Sequence, residues 1–435
     1  MAEIRPFLGI HYNQQTVNDL SAVICPPYDL ITPQIEQELY RKSKYNFVRI
    51  EASRKLPQDT LVDNKYTRSA ATMEQWLEQG ILVADKTPAI YLHDHYFTYQ
   101  GKEYRRRGII ARVRLEEWDK MVVRPHEGTL VEPKNDRLSL LRACQVNTSP
   151  ILALFEDGGQ QVSALLAAQE RCEPIISLSK ANGESHYMRA ITEPEVINQI
   201  CTSLAYQPLY IADGHHRYES ALIYRRERYT SSPSDDAAFN FILMEVLDLS
   251  DPGLIILPPH RLVRGMSKST LDGLMVKLRS FFEVEELLLS VPNIWQQVDD
   301  LLSREMKEIR LVLFGLAPER FLVLRLRDFA AVSQMMPYFH SESYKRLDVS
   351  IIDHIILEKL LGLDRDKEET MLTYTYDRDD AINRVLDQEY QLAFILSPIK
   401  VGVIKAIADS SDRMPRKSTY FYPKLPAGLI FYRLV

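Results

Sequence analysis

Cysteine is scarce in this sequence, and the few cysteines lie far apart. The 435 residues contain four cysteines, Cys25, Cys144, Cys172 and Cys201, with no Cys-x-x-Cys pair. This excludes a zinc ribbon and a disulfide scaffold, and it favours a reducing compartment. A chain of this length buries enough apolar surface to fold without such cross-links.

Long apolar runs and an excess of positive charge are also missing. No uncharged apolar run approaches 18 residues, so nothing is long enough to span a membrane, and residues 1–6 lack the apolar core of a signal peptide. The 53 Lys and Arg against 59 Asp and Glu give a net charge of −6, which disfavours duplex binding as the main role. We therefore expect a soluble cytoplasmic protein.

The common glycine-rich and nucleophile motifs are absent from the sequence. There is no GxxxxGK[ST] loop, no GxGxxG fingerprint and no GxSxG elbow. These absences exclude the usual P-loop, Rossmann and α/β-hydrolase interpretations.

The composition is that of an ordinary globular protein, with 46% hydrophobic and 26% charged residues and no repeats. The length predicts two or three domains. We expect an α+β (mixed α/β) fold, with an N-terminal α+β segment at 1–88, a phosphate-binding core at 89–249 that carries an insertion at about 156–207, and a C-terminal α+β domain at 250–435. Residues 231–236 are the most linker-like stretch.

Local patterns predict several elements. Thr32 is expected to cap the first helix, and further helices are expected at 64–79 and 136–144. Two helical stretches are expected between 161 and 206, around a polar middle. Residues 22–25 are expected to be extended. The expected strands are a hairpin of 90–99 and 103–115 around Gln100-Gly101, and strands at 150–155, 208–212 and 239–247. Beyond residue 250 we expect helices near 268–282, 292–306, 347–361 and 380–387, and strands near 308–316, 321–327 and 391–396.

The sharpest local signal is a short apolar strand that runs into Asp213, Gly214, His215, His216 and Arg217. Asp-Gly predicts a tight turn, and the residues after it begin an amphipathic helix. A helix N-terminus carries about half a positive charge and unpaired N–H groups, so it normally favours acidic residues. Basic residues there indicate an anion site, and phosphate suits it best. The alternative is an Asp-capped helix whose basic residues pair with nearby carboxylates.

A second cluster, Pro125-His126-Glu127-Gly128-Thr129, lies between a predicted strand and a predicted helix. A His-Glu pair in a loop is often only a solvated turn. Here the order of elements matters, because this loop is followed by a helix, a strand and then the strand–Asp-Gly–helix turn.

This order resembles the core of the ParB/sulfiredoxin superfamily, and in particular its free serine kinases, whose pattern has a Pro-His-Glu loop upstream of an Asp-Gly-His-His-Arg turn. The resemblance implies that Glu127 is the general base that accepts a hydroxyl proton, and that Asp213, His215, His216 and Arg217 hold nucleotide phosphates. The chain departs from the compact kinase in its insertion and in its N-terminal and C-terminal regions, which leaves the substrate open.

Over its whole length the chain resembles a bacterial family catalogued as domain of unknown function 1015, whose members are often linked with serine synthesis. The stretches that carry this resemblance are 26–29, 46–51, 125–129, 136–137, 212–219, 259–261 and 414–424.

Three further groups have competing interpretations. Arg261, in Pro259-His260-Arg261, either approaches the same anion or lies in an ordinary loop. Residues 416–424 hold three cations and the hydroxyls of Ser418 and Thr419, which predict either a second phosphate clamp or a solvated strand edge. His93 and His95 share a strand face and would make a zinc site with His126 or His215, but spacing supplies no matched third ligand, so we predict no resident metal site.

We therefore expect a phosphotransferase that moves a phosphoryl group between a nucleotide, or another phosphate donor, and a small hydroxyl metabolite, L-serine or O-phospho-L-serine first. Mg²⁺ is expected to accompany ATP or ADP. The alternatives are a non-catalytic nucleotide- or phospho-metabolite-binding regulator, and a ParB-like nuclease or DNA-binding protein. The expected site residues are Glu127, His216 and Asp213 for catalysis; Gly214, His215, His216, Arg217, Arg261, Lys417, Ser418, Thr419 and Lys424 for phosphate; and Tyr28, Asp29, His126, Thr129 and Arg137 for substrate.

Overall fold

Two units make up the computed structural model, which describes residues 1–231, 234–303, 308–363, 367 and 370–435. The first unit comprises Met1–Pro125, Thr129–Ile255 and Pro423–Val435, and the second comprises His126–Gly128 and Ile256–Tyr422. Two positions of the linker-like stretch, 232 and 233, lie outside the described residues. The three-part division expected from the sequence stays a prediction.

A large mixed sheet forms the centre of the first unit. Numbered along the chain, the strands of this unit up to residue 248 are β1 Ile4–Arg5, β2 Ile10–Tyr12, β3 Leu82–Ala84, β4 Ile90–Tyr99, β5 Lys102–Arg114, β6 Val123–Pro125, β7 Val146–Asn147, β8 Ile151–Phe155, β9 Ile176–Ser179, β10 Ser185–Ile191, β11 Leu209–Asp213 and β12 Phe241–Asp248. Nine strands of the described chain form the large sheet, in the order β6-β11-β8-β12-β5-β4-β10-β9 with β1 beside β5. The β6–β11 and β8–β12 pairs are parallel, and the others are antiparallel.

The predicted hairpin is confirmed as β4 and β5, which pair from Tyr91 with Ile110 to Tyr99 with Lys102. Gln100 and Gly101 form its turn with φ of 49° and 74°. Two positive φ values in a two-residue loop match the right-handed twist of the strands, and glycine adopts them at little cost. The predicted return of the chain to this sheet is confirmed by β12, which lies between β8 and β5.

Seven helices of the first unit's described residues lie between its strands along the chain. They are Pro33–Lys42, Val48–Glu51, Lys65–Glu78, Val131–Cys144, Gln161–Ala168, Pro194–Ala205 and His215–Ser231. Thr32 caps the first of them by accepting a hydrogen bond from the Ile35 amide at 3.3 Å, as predicted. No helix of the described chain is long and apolar enough to cross a membrane.

Two predicted stretches hold only in part. Of the extended stretch at 22–25, Ala22 ends a 3₁₀ turn whose N-terminus Asp19 caps, while Cys25 pairs with Ala427 in an isolated β-bridge. The two helical stretches between 161 and 206 are confirmed as Gln161–Ala168 and Pro194–Ala205, but the polar middle contains an antiparallel pair that was not predicted, β9 and β10, joined by a turn in which Gly183 has φ of 86°. Four-residue β9 is too short for its period-2 pattern to stand out from the helical segments beside it.

The second unit contains a smaller antiparallel sheet. The remaining strands of the chain are β13 Ile255–Leu257, β14 His260–Val263, β15 Phe282–Leu288, β16 Arg310–Phe314, β17 Arg320–Leu326, β18 Leu372–Thr375, β19 Leu392–Ile395, β20 Tyr420–Tyr422 and β21 Tyr432–Arg433. Among the residues described there, six strands pair in the order β15-β17-β16-β19-β14-β18. β21 belongs to the first unit, where it pairs with β7.

The four helical stretches predicted in the second unit are present with shifted ends, and the helices Phe329–Met335, Glu342–Lys345 and Val401–Asp409 were not predicted. The described helices of this unit are Lys268–Phe281, Ile294–Leu302, Phe329–Met335, Glu342–Lys345, Asp348–Ile351, the π-helix Ile352–Leu360, Arg378–Leu386 and Val401–Asp409. With helices and sheets in both units, the α+β fold class is confirmed.

A buried ion pair anchors the sheet of the second unit. Arg261, on β14, is fully buried, and its Nε and Nη2 donate to the two carboxylate oxygens of Asp353 at 2.8 and 3.2 Å. Its guanidinium also lies over the Tyr374 ring at 5.6 Å. An enclosed guanidinium requires such a partner, since an unpaired buried charge costs several kcal/mol. These contacts give Arg261 a packing role, distinct from the phosphate contact expected from the sequence.

Arg261→Ala leaves Asp353 without its partner and should lower the free energy of unfolding by about 3 kcal/mol. The control is Arg320→Ala, which removes an exposed ion pair with Glu286 and should cost less than about 1 kcal/mol. Urea unfolding of both variants measures the difference. Equal small losses would contradict a stabilising role for the buried pair.

Candidate functional site

The turn after β11 is the centre of the candidate site. β11 is buried up to Ala212, Asp213 ends it, and the helix His215–Ser231 begins two residues later. Gly214 between them has φ of 97°, and a Cβ there would lie 2.9 Å from Arg217 Nη2 and 3.0 Å from Ile151 Cγ1. The turn therefore requires glycine both for its backbone conformation and for the close approach of Arg217.

Asp213 is held between two cations. Its Oδ1 accepts from Lys424 Nζ, and its Oδ2 accepts from Arg217 Nη2 at 3.2 Å. Burial alone would raise the pKa of Asp213, but Lys424 and Arg217 hold it below its ordinary value. Asp213 is therefore a carboxylate at neutral pH, and the cluster of three side chains has a net charge of about +1.

Arg217 also links the helix to the segment before β8. Its Nη1 donates to Ser149 Oγ at 2.9 Å and to the Pro150 carbonyl at 2.6 Å. Its Nε is buried and has no hydrogen-bond partner among the described residues. Arg217 and Arg137 line a cavity of about 30 Å³ together with Ser149, which is room for one or two water molecules.

The two histidines of the turn have different surroundings. His215 is buried, with 7% of its surface exposed. His216 Nε2 accepts a hydrogen bond from the Leu130 amide at 2.9 Å, which places the proton of the neutral ring on Nδ1. Nearby, Thr129 Oγ1 donates to Glu219 Oε2 at 2.5 Å. Glu219 thus holds the Thr129 side chain just before the helix Val131–Cys144.

Two of the expected substrate residues, Tyr28 and Arg137, belong to a network that adjoins the turn, since Arg137 lines the same cavity as Arg217. Arg137 lies over the Tyr28 ring at 4.1 Å and donates to Glu51 Oε1 at 3.2 Å and to Asp136 Oδ2. Burial raises the pKa of Asp136, but Arg137 and Lys65 outweigh it and lower that pKa to about 2. Asp29 is exposed beside this network. These contacts identify Arg137 as a structural link between its helix and the N-terminal residues.

The Pro-His-Glu loop and the C-terminal basic stretch meet inside the second unit. Glu127 Oε1 accepts from the Lys417 amide at 3.1 Å, and His126 Nε2 lies 3.0 Å from Thr419 Oγ1. Lys417 has φ of 56°, and Ser418, with 1% exposed, donates to the Pro415 carbonyl at 2.5 Å. The structure thus joins two motifs that lie 290 residues apart in the sequence.

The histidine pair on β4 has partners that spacing did not reveal. His95 lies beside Glu184 and His186 of the first unit, two residues that were not among the third ligands considered from the sequence. The imidazole of His186 lies on β10, and Glu184 is the residue before that strand. The sequence patterns did not predict β10. The observed register of β4 with β10 is the signal that brings them together.

Comparison with protein families identifies the family of this chain. Residues 4–350 match a family model described as a protein of unknown function, DUF1015. No curated protein matches the chain.

Solved structures align with most of the chain at low similarity. A conserved hypothetical protein from Pyrococcus furiosus is 14% identical with a TM-score of 0.36, and the match covers 74% of this chain and 94% of that one. A free serine kinase mutant in complex with AMP is 13% identical at a TM-score of 0.36, covering 74% and 91%. SbnI from Staphylococcus aureus, truncated at its C-terminus, is 9% identical at 0.35, covering 73% and 85%. At identities and scores this low, the likeness does not extend to function.

Gly214→Ala should destabilise the protein by about 1–3 kcal/mol, because alanine resists this positive φ and its Cβ would displace the Arg217 guanidinium. Gly158→Ala is the matched control, since a Cβ at Gly158 meets no atom within 4 Å. The thermal unfolding midpoints of the two variants give the comparison. A Gly214→Ala protein as stable as the control would show that the turn does not constrain this position.

Proposed function

The chain belongs to the DUF1015 family, and from that premise we propose that it is a phosphotransferase that acts on a small hydroxyl metabolite. The proposed reaction moves a phosphoryl group between a nucleotide, or another phosphate donor, and a hydroxyl group, with L-serine and O-phospho-L-serine as the leading pair. The observation that carries the proposal is the cation pair, Lys424 and Arg217, held on Asp213 at the N-terminus of a long helix. Phosphoryl transfer depends mainly on positioning and charge compensation, which such a site supplies.

Phosphate recognition is assigned to the turn itself. The helix N-terminus adds about half a positive charge to the net +1 of Asp213, Lys424 and Arg217. The Asp213 carboxylate keeps both cations in place, and it is also an oxygen ligand of the kind that a nucleotide-bound Mg²⁺ uses. His215 and His216, in the first turn of the helix, complete the proposed phosphate contacts. The serine assignment rests on the resemblance of the motifs.

Glu127 is the proposed general base, a role that follows from its Pro-His-Glu motif. An ionised glutamate can accept the proton of a substrate hydroxyl without a large shift in pKa. Its hydrogen bond from the Lys417 amide fixes one oxygen of the carboxylate. Ser418 and Thr419, beside Lys417, are the hydroxyls proposed to contact the phosphate donor.

A second candidate function is a regulator that binds a nucleotide or phospho-metabolite without turning it over. The observation in its favour is that the polar groups of the turn already have structural partners: Asp213 has two cations and His216 Nε2 has the Leu130 amide. Turnover separates the two functions. The purified chain with Mg²⁺, serine or O-phosphoserine, and ATP, ADP or pyrophosphate, followed by ³¹P NMR, forms product only if it is an enzyme.

Lys424→Met should weaken nucleotide binding about 10- to 100-fold, the range of a charged hydrogen bond. The variant removes one cation and leaves the Asp213 charge less compensated, so both effects repel phosphate. Lys42→Met, which removes an exposed lysine bonded to the Ser21 carbonyl, is the control. Calorimetric titration with ATP and ADP measures both affinities, and equal affinities would refute the assignment of the turn.

Glu127→Gln should lower turnover on the order of 10²–10⁴-fold, because the amide cannot accept a proton in the transition state. The glutamine oxygen can still accept from the Lys417 amide, so the loop and the nucleotide affinity should persist. Glu132→Gln, at an exposed site in the first turn of the next helix, is expected to behave as the wild type. Wild-type turnover in Glu127→Gln would exclude this residue as the base.

A further inference from the structure

Three histidines and a glutamate share one face of the large sheet at β4 and β10. The register of these antiparallel strands sets His186 opposite His95. His93 lies two residues before His95, and Glu184 lies two residues before His186, so all four side chains point to the same side. The three histidines have 0% of their surface exposed.

The donor atoms of three of these residues converge. Glu184 Oε2 is 3.9 Å from His95 Nε2 and 4.0 Å from His186 Nε2, and the three ligand atoms lie within 4.8 Å of one another. Donors of a tetrahedral zinc ion with bonds of about 2.1 Å are roughly 3.4 Å apart. The two distances to Glu184 therefore need to contract by about 0.5 Å, and no pair of these donor atoms by more than about 1.4 Å, to surround such an ion.

The two imidazole atoms that face this point lack other partners. His95 Nε2 and His186 Nε2 are buried and make no hydrogen bond within the described part of the chain. Buried polar atoms are nearly always satisfied in folded proteins, so two such atoms beside one carboxylate indicate a missing ligand. A metal ion would satisfy both at once.

A relay of hydrogen bonds directs the lone pair of His186 towards the same point. Glu245 Oε1 lies 2.9 Å from His93 Nδ1, and His93 Nε2 lies 3.1 Å from His186 Nδ1. A carboxylate accepts, so His93 carries its proton on Nδ1, its Nε2 accepts from His186 Nδ1, and His186 Nε2 is left with its lone pair. Zinc-bound histidines typically have an outer partner of this kind on the second nitrogen.

Gly108 makes this relay possible. It lies on β5, paired with His93 on one side and with Leu247 of β12 on the other. A Cβ at this position would lie 3.1 Å from both Cγ and Oε1 of Glu245. The absence of a side chain therefore allows Glu245 to pass over β5 and reach His93.

Two cations oppose a metal ion at this point. Lys180 Nζ donates to Glu184 Oε2 at 2.6 Å, and Arg106 Nη2 donates to His95 Nδ1 at 3.1 Å. The Arg106 contact leaves the proton of neutral His95 on Nε2. A bound ion must therefore release Lys180 from Glu184 and move that proton to Nδ1, which breaks the Arg106 contact.

We propose that His95, His186 and Glu184 form a binding site for a divalent transition-metal ion, with Zn²⁺ as the leading candidate and with His93 and Glu245 as positioning residues. Two imidazoles and one carboxylate are a donor set that suits zinc and disfavours magnesium, which prefers oxygen ligands. The ion would connect β4 to β10 inside the first unit.

The test uses the full chain, stripped with a chelator and dialysed against Zn²⁺, with bound metal measured by mass spectrometry. We expect one zinc ion per chain that millimolar Mg²⁺ does not displace, and a visible absorption band when Co²⁺ replaces Zn²⁺. His186→Gln and Glu184→Gln should each lower the zinc affinity at least tenfold. His93→Gln should lower it about 10- to 100-fold, as expected for an outer partner.

The matched control is His11→Gln, which removes a ring already bonded to Asp85 at 3.2 Å and to the Tyr12 carbonyl at 3.0 Å. It should keep the wild-type affinity. Lys180→Met should bind zinc more tightly than the wild type, because the competing ammonium is gone, and a structural role for the cluster would not produce that gain.

The side chain of Lys180 is 26% exposed, so this variant stays informative if His186→Gln does not fold. Either of two results would overturn the proposal: no stoichiometric zinc in the wild type and in Lys180→Met, or equal zinc affinity in the ligand variants and in His11→Gln.

Discussion

The ion pairs of Asp213 are the interaction on which the first unit's candidate site depends. One carboxylate joins the end of β11, the helix after it and the C-terminal segment at 423–435, because Arg217 and Lys424 each bind one of its oxygens. Arg217 extends this junction to Ser149 and Pro150. Two unit charges about 4 Å apart near a protein surface attract by about 4 kcal/mol before desolvation is counted. A neutral residue at 213 would leave both cations to repel each other.

Asp213 compensates part of the positive charge of Arg217 and Lys424 and holds both cations beside the turn, where an anion could bind. With Asp213 ionised, the net charge there is small enough to be stable in the protein alone, yet it stays positive next to a helix N-terminus. An incoming phosphate competes with Asp213 for the cations. This competition lowers the net binding free energy of the phosphate. The fixed positions of the cations lower the entropic cost of binding it.

Local sequence patterns predicted much of this arrangement. Strand, Asp-Gly turn and helix follow from an apolar run, a turn dipeptide and helical periodicity, and the β4–β5 hairpin follows from Gln100-Gly101. The pattern could not show that Lys424, 211 residues away, pairs with Asp213. The pairing of Arg217 with Asp213 agrees with the alternative interpretation of the turn, in which its basic residues pair with nearby carboxylates. Such contacts are set by the long-range packing of the sheet, on which local periodicity carries no information.

The histidine cluster illustrates the same limit, since only the register of β4 with β10 places His186 opposite His95. It also shows how two polar groups of the first unit are connected. Arg106 donates from Nη1 to the Pro423 carbonyl at 2.9 Å and from Nη2 to His95, and the residue after Pro423 is Lys424, which binds Asp213. These contacts form a continuous chain from His95 through Arg106 and Pro423 to the lysine that binds Asp213. If a ligand of the histidine cluster alters the affinity of the turn for phosphate through this link, thermodynamic linkage requires that phosphate alter the affinity of the cluster by the same factor.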